Sequence, residues 1–126
     1  MTRHPQRLPD YLGHIVQAID RISRYTAQMD ERSFLQDELV QDAVIRNLEV
    51  IGEASRNIAR DHPEFTAAHP ELPLSPAYEM RNALSHGYFS VDLRIVWRTV
   101  TRHLPVLQAQ VAMLLQQQTG SDHTPS

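Results

Sequence analysis

Ala43-Val44-Ile45-Arg46-Asn47-Leu48-Glu49-Val50-Ile51-Gly52-Glu53-Ala54 is the stretch that decides the fold. Apolar side chains return at Val44, Leu48 and Ile51, and Ser55 and Ile58 keep the same steps of four and three beyond its end. An α-helix completes a turn in about 3.6 residues, so this spacing stacks the side chains on one face, whereas a half-buried strand would need strict alternation. Val40, Ala43, Val50 and Ala54 widen the face, which predicts a helix with neighbours on two sides, central in a bundle. Gly52 stands inside it although glycine costs about 1 kcal/mol relative to alanine there. It is read as a point of close approach by another backbone. The helix is expected to open with Ser33 as N-cap and Gln36 three residues on, and to run to about Arg60.

Upstream, Leu8, Leu12, Ile15, Ile19, Ile22 and Met29 form one stripe with Thr26 filling the gap, predicting a helix over residues 8–29 with Pro9 and Asp10 in its first turn. Downstream, Pro63, Pro70 and Pro73 predict an irregular connection over 61–74. Ser75 as N-cap and Pro76 at the first helical position then start a short third helix, which Gly87 ends. A last helix begins near Val91 and carries Leu93, Trp97, Val100, Leu104, Leu107, Val111 and Leu114. Pro105 must kink or split it, having no amide proton and crowding the carbonyl of Thr101. Residues 119–126 are a polar tail expected to be disordered. The fold class is therefore all-α, an up-and-down helical bundle forming one domain over 1–118. Seams this long also suit dimerisation through the long helices.

Composition narrows the function. A chain of 126 residues supports one core. With no cysteine, disulfides, thiolate zinc sites and cysteine nucleophiles are excluded. His4, His14, His62, His69, His103 and His123 fall in no metal-binding spacing, so no metal and no cofactor are expected. No apolar run approaches the roughly 20 residues of a membrane span, and Met1-Thr2-Arg3-His4-Pro5 lacks a signal-peptide core, so a cytoplasmic protein is expected. All twelve basic residues are arginines and the net charge is −3. The charge is unevenly spread. Between Asp30 and Glu53 seven acids face two arginines, while from Arg81 to Gln118 four arginines face Asp92 alone.

The positive half holds Arg81-Asn82-Ala83-Leu84-Ser85-His86-Gly87-Tyr88. Arginine offers a planar fork of donors to phosphate oxygens, and histidine exchanges protons near neutral pH. RNA carries its own nucleophile in the 2′ hydroxyl, so a ribonuclease working without metal needs little more than these two groups. Arg81 and His86 are five residues apart, about 140° around an ideal helix, so their convergence needs termination at Gly87 or a second subunit. Taken singly, each group also has a structural role open to it: Arg81 or His86 as a charge complementing a helix C-terminus, Tyr88 as an anchored aromatic. Asn82 is a secondary candidate for positioning RNA or orienting His86, or a surface polar residue. Arg94, Arg98 and Arg102 recur every fourth residue on the last helix, as an RNA contact or as a solvated face.

The spacing Arg81, four residues, His86, one residue, Tyr88 resembles the mark of the HEPN superfamily of helical ribonucleases. Together with Ala43–Ala54 and with the run from His86 to Trp97, the chain resembles its HepT-like (DUF86) toxins over approximately residues 8–116. In place of the Pro-Trp pair common before the motif, it has Leu72-Pro73-Leu74-Ser75-Pro76. The resemblance implies a HEPN-like bundle that dimerises to place two motifs in one cleft, and a metal-independent endoribonuclease with Arg81 and His86 as catalytic residues. It implies too an MntA-type nucleotidyltransferase antitoxin as partner, which transfers AMP to Tyr88. A noncatalytic HEPN module that binds a nucleotide or docks a nucleotidyltransferase is the rival expectation, and a purely structural helical dimer a third.

Overall fold

The computed structural model describes residues 7–72 and 92–122. The described elements are α1 (Leu8–Thr26), α2 (Glu31–Leu35), α3 (Glu38–Asp61), α4 (Pro63–Ala68), α5 (Leu93–Arg98) and α6 (Leu104–Asp122), with a π-turn over Thr99–His103 joining the last two. No strand occurs among the described residues, and the all-α expectation holds. The short third helix expected from Ser75 to Gly87 lies outside them.

The apolar stripe of α1 is the packing centre. Leu12, Ile15, Ala18, Ile19 and Ile22 are almost wholly removed from water, and α1 packs against α3 on one side and α6 on the other. Among the described residues α1 sits between two long helices, while α3 packs against α1 and against the short α2 and α4. The expected face of α3 is nonetheless the buried one: Val44, Leu48, Ile51, Ser55 and Ile58 all point inward, with Gly52 and Ala54 beside them. Ser55 is tolerated in the core because its hydroxyl donates to the carbonyl of Ile51 at 2.7 Å, leaving no unmet donor.

Between α1 and α3 the chain differs from expectation. The first helix ends at Thr26, where the hydroxyl donates to Ile22 O at 2.8 Å and a turn follows. Met29 still packs on the core from outside the helix. Ser33 is not an N-cap. It occupies the third position of α2, donating its amide to Asp30 Oδ1 at 2.8 Å while its hydroxyl accepts from the Asp30 amide at 3.0 Å, a reciprocal capping box. Asp37 caps again by accepting from Val40 N at 3.0 Å. Two aspartates seven residues apart therefore cut one expected helix into a short α2 and a long α3. The corner is sealed by fully buried Phe34, whose carbonyl accepts from Gln41 Nε2 at 2.8 Å.

The stretch after α3 is more regular than its prolines predicted. Pro63 sits at the start of α4, where its missing amide proton costs nothing, and His62 supplies the break. Here Asp61 ties the ends of α1 and α3 together. Its carboxylate accepts from Arg60 Nε and Nη2 at 2.8 and 3.1 Å and from the Tyr11 hydroxyl at 2.9 Å.

The last helix is split just before Pro105, as expected, by the π-turn that separates α5 from α6. Leu104 N donates to Thr99 O, five residues back, so the turn before the proline takes in an extra residue and passes into α6. The Thr99 and Thr101 hydroxyls donate to the carbonyls of Ile95 and Trp97 at 2.9 and 3.0 Å within this widened turn. Trp97 packs half-buried against the core as its place on the seam predicts, with its ring 5.2 Å from that of Phe34, and Val96 beside it is buried more deeply. Val100, Leu104, Leu107, Val111 and Leu114 keep their expected places in the core. The helix continues to Asp122, past the boundary at 118 expected from sequence.

Leu12→Ala empties a site with 0% exposure between two helices and should lower the unfolding free energy by about 2–5 kcal/mol, measured by urea denaturation. Arg60 first, and Tyr11 second, hold the Asp61 carboxyl down from 3.8 to about 2. A carboxylate with a lowered pKa stabilises the fold above its unfolded value and loses that contribution as pH falls through the folded one. Between pH 3.8 and about 2 the unmodified chain should therefore lose stability more steeply than Asp61→Asn, as followed by circular dichroism during acid titration. Parallel profiles would detach Asp61 from acid stability.

Candidate functional site

The residues expected to carry chemistry divide sharply. Arg81, Asn82, His86 and Tyr88 lie outside the described residues, whereas Arg94 and Arg98 lie on α5. Asp92 starts that helix by accepting from the Arg94 amide at 2.9 Å, so the chain enters α5 with its direction fixed directly after the motif. The buried position of Val96 turns Arg94 and Arg98 outward, and both are exposed. Arg102, in the π-turn, is exposed as well. None of the three forms an ion pair among the described residues. Three exposed guanidinium groups along α5 and the π-turn make a surface suited to anions.

A second feature was not singled out from sequence. Between α1 and α3 lies an open pocket of about 380 Å³. Tyr11 and His14 line it from α1, Arg46, Glu49, Glu53 and Asn57 line it from α3, and Val50 and Ala54 form the apolar part of its wall. Its polar side chains on α3 follow steps of three, four and four, the helical period that also orders the apolar stripe beside it. That second stripe is the signal the sequence carries for the pocket. A guanidinium and two carboxylates in one opening favour a ligand carrying both donors and acceptors over a simple anion. Among the described residues no group of three or more His, Cys, Asp or Glu is placed to hold a metal ion. No helix among them is long and apolar enough to cross a membrane.

Comparison with known proteins bears on the part of the site that the geometry leaves out. The family model described as ribonuclease HepT-like matches residues 15–114, a span that includes most of α1, all of α3, the Arg81–Tyr88 segment, α5 and more than half of α6. A protein of Thermococcus cleftensis named probable ribonuclease HepT is 44% identical over 105 residues, covering 83% of this chain and 93% of that protein. A candidate RNase of Caldanaerobacter subterraneus is 34% identical, over 86% of this chain and 94% of its own length. In Methanocaldococcus jannaschii, a protein named as a gamma-glutamylcyclotransferase and candidate RNase is 36% identical over 85% of this chain but only 47% of that longer protein. No solved structure matches the chain. With a helical core in which α1 packs between α3 and α6, and a family match over most of its length, the chain belongs to the ribonuclease HepT-like family.

Proposed function

We infer that this protein is a metal-independent endoribonuclease toxin of the HEPN type, acting on RNA in the cytoplasm. The observation that carries this reading is the family match over residues 15–114, which takes in Arg81, His86 and Tyr88 together. Arg81 and His86 are the catalytic residues. In the cleavage step the 2′ oxygen attacks the adjacent phosphorus, its proton passes to an imidazole acting as base, and the 5′ oxygen leaves with a proton from an acid. The products are a 2′,3′-cyclic phosphate and a 5′ hydroxyl. Arg81 stabilises the charge that gathers on the phosphoryl oxygens. One chain supplies one motif histidine, so a homodimer whose cleft holds two motifs provides both the base and the acid.

The outer face of α6 supports such a pairing, since Val106 and Met113 are 59% and 61% exposed there and offer an apolar surface for a second copy. Asn82, Arg94 and Arg98 position the RNA. The cognate partner is an MntA-type nucleotidyltransferase antitoxin that transfers AMP to Tyr88. A phosphate-bearing group next to Arg81 and His86 would occupy the anion site and repel an RNA backbone.

Purified protein should cut RNA in the presence of excess chelator, and His86→Ala should reduce the rate by at least about 10²-fold while leaving the circular dichroism spectrum unchanged. Equal cutting by the variant removes His86 from the mechanism, and no cutting by either protein favours the noncatalytic module. Incubation with the nucleotidyltransferase and ATP should add the mass of AMP to a peptide containing Tyr88. An unmodified Tyr88 in an inhibited complex would mean that the antitoxin acts by docking alone.

A further inference from the structure

In an unbroken α-helix a residue four positions on overshoots a full turn by about 40°, so a row of three arginines at that spacing wanders around the axis by about 80°. The last helix is not unbroken. Between Arg98 and Arg102 it passes into the π-turn of Thr99–His103, closed by the bond from Leu104 N to Thr99 O. A turn of this kind contains one more residue, so four residues fall short of a revolution and the drift reverses. That geometry carries Arg102 back toward the line of Arg94. All three side chains are exposed, and no acid among the described residues pairs with any of them. Between Asp92 and Asp122 the sequence has no further acid to offset them.

We propose that Arg94, Arg98 and Arg102 form a single phosphate-tracking row, brought into line by the π-turn, which grips one RNA strand by its backbone and without regard to base. The proposal rests on the ribonuclease reading for its ligand and adds Arg102, the π-turn and sequence-blind strand binding to it. A straight row of charge on one helix matches one backbone. Trp97, the aromatic residue on the same helix as Arg94 and Arg98, is half-buried against Phe34 at 5.2 Å and is not free to act as a stacking platform. The row therefore reads phosphates. Such contacts release counterions, and each one lost lowers the salt dependence of binding by a fixed increment.

The test uses the full chain and a fluorescent single-stranded deoxyoligonucleotide, which has the phosphates but lacks the 2′ hydroxyl and so cannot be cleaved. The slope of log affinity against log salt should fall in magnitude by about 0.7 for each arginine replaced by glutamine, and by about 2 in Arg94→Gln/Arg98→Gln/Arg102→Gln. Arg56→Gln makes the same charge change on α3, towards the end of the bundle where Tyr11 meets Asp61, and should leave the slope unchanged. Oligo-dT and oligo-dA should bind alike. An unchanged slope in the triple variant, a strong base preference, or no binding by the unmodified chain overturns the row. So does a folded triple variant that keeps the oligonucleotide but loses the nucleotidyltransferase, which would make the face a protein dock. Because the probe is uncleavable, these outcomes are independent of the His86→Ala assay, which alone decides the catalytic motif.

Discussion

Everything in the described structure depends on removing one side of α1 from water. Leu12, Ile15, Ala18, Ile19 and Ile22 face two long helices at once, and burial of apolar surface is the main favourable term in folding. The other elements serve that burial. The capping box of Asp30 with Ser33 turns the chain so that α3 can lie along α1, and Phe34 fills the corner. At the other end the Asp61 carboxylate, held by Arg60 and Tyr11, fixes where α1 and α3 meet. Gln108 Nε2, donating to Asp20 Oδ1 at 3.1 Å, adds a polar bridge between α6 and α1 at the surface.

The long apolar stripes were legible in the sequence because packing follows helical period directly. Residues 12, 15, 19 and 22, and 44, 48, 51, 55 and 58, are buried as their spacing predicts. Boundaries were harder, for local reasons. Ser33 with Gln36 looks like a capping pair, but Asp30 lies three residues earlier and uses Ser33 as its own third position. Asp37 then starts the chain anew. Pro63 reads as a breaker until its place at the first helical position is known. The π-turn itself depends on an insertion in hydrogen bonding, which leaves no mark in residue type beyond the proline that follows it.

The candidate site was legible to a different degree. Arg81, Asn82, His86 and Tyr88 stand out by chemistry and by their place in a family-wide match, and they fall outside the described residues. Arg94 and Arg98 stand on an exposed face with Arg102. The pocket formed by His14, Arg46, Glu49 and Asn57 was overlooked because charged residues on a long helix ordinarily mark a solvated face. Only the opposing helix reveals that these four share an opening. The charge asymmetry along the chain acquires a spatial meaning in the same way, with acids concentrated along α2 and α3 and exposed arginines along α5 and the π-turn.

The π-turn also limits how this protein can be rebuilt. Its one surplus residue sets the rotational offset between α5 and α6, so the two halves of the last helix are locked in a phase that an ideal helix would not reproduce. Anyone transplanting this helix onto a new scaffold must carry Thr99–His103 and Pro105 as one cassette. If the cassette were straightened, Leu104, Leu107 and Val111 could still seat in their sockets, but everything N-terminal to it would face a different compass direction.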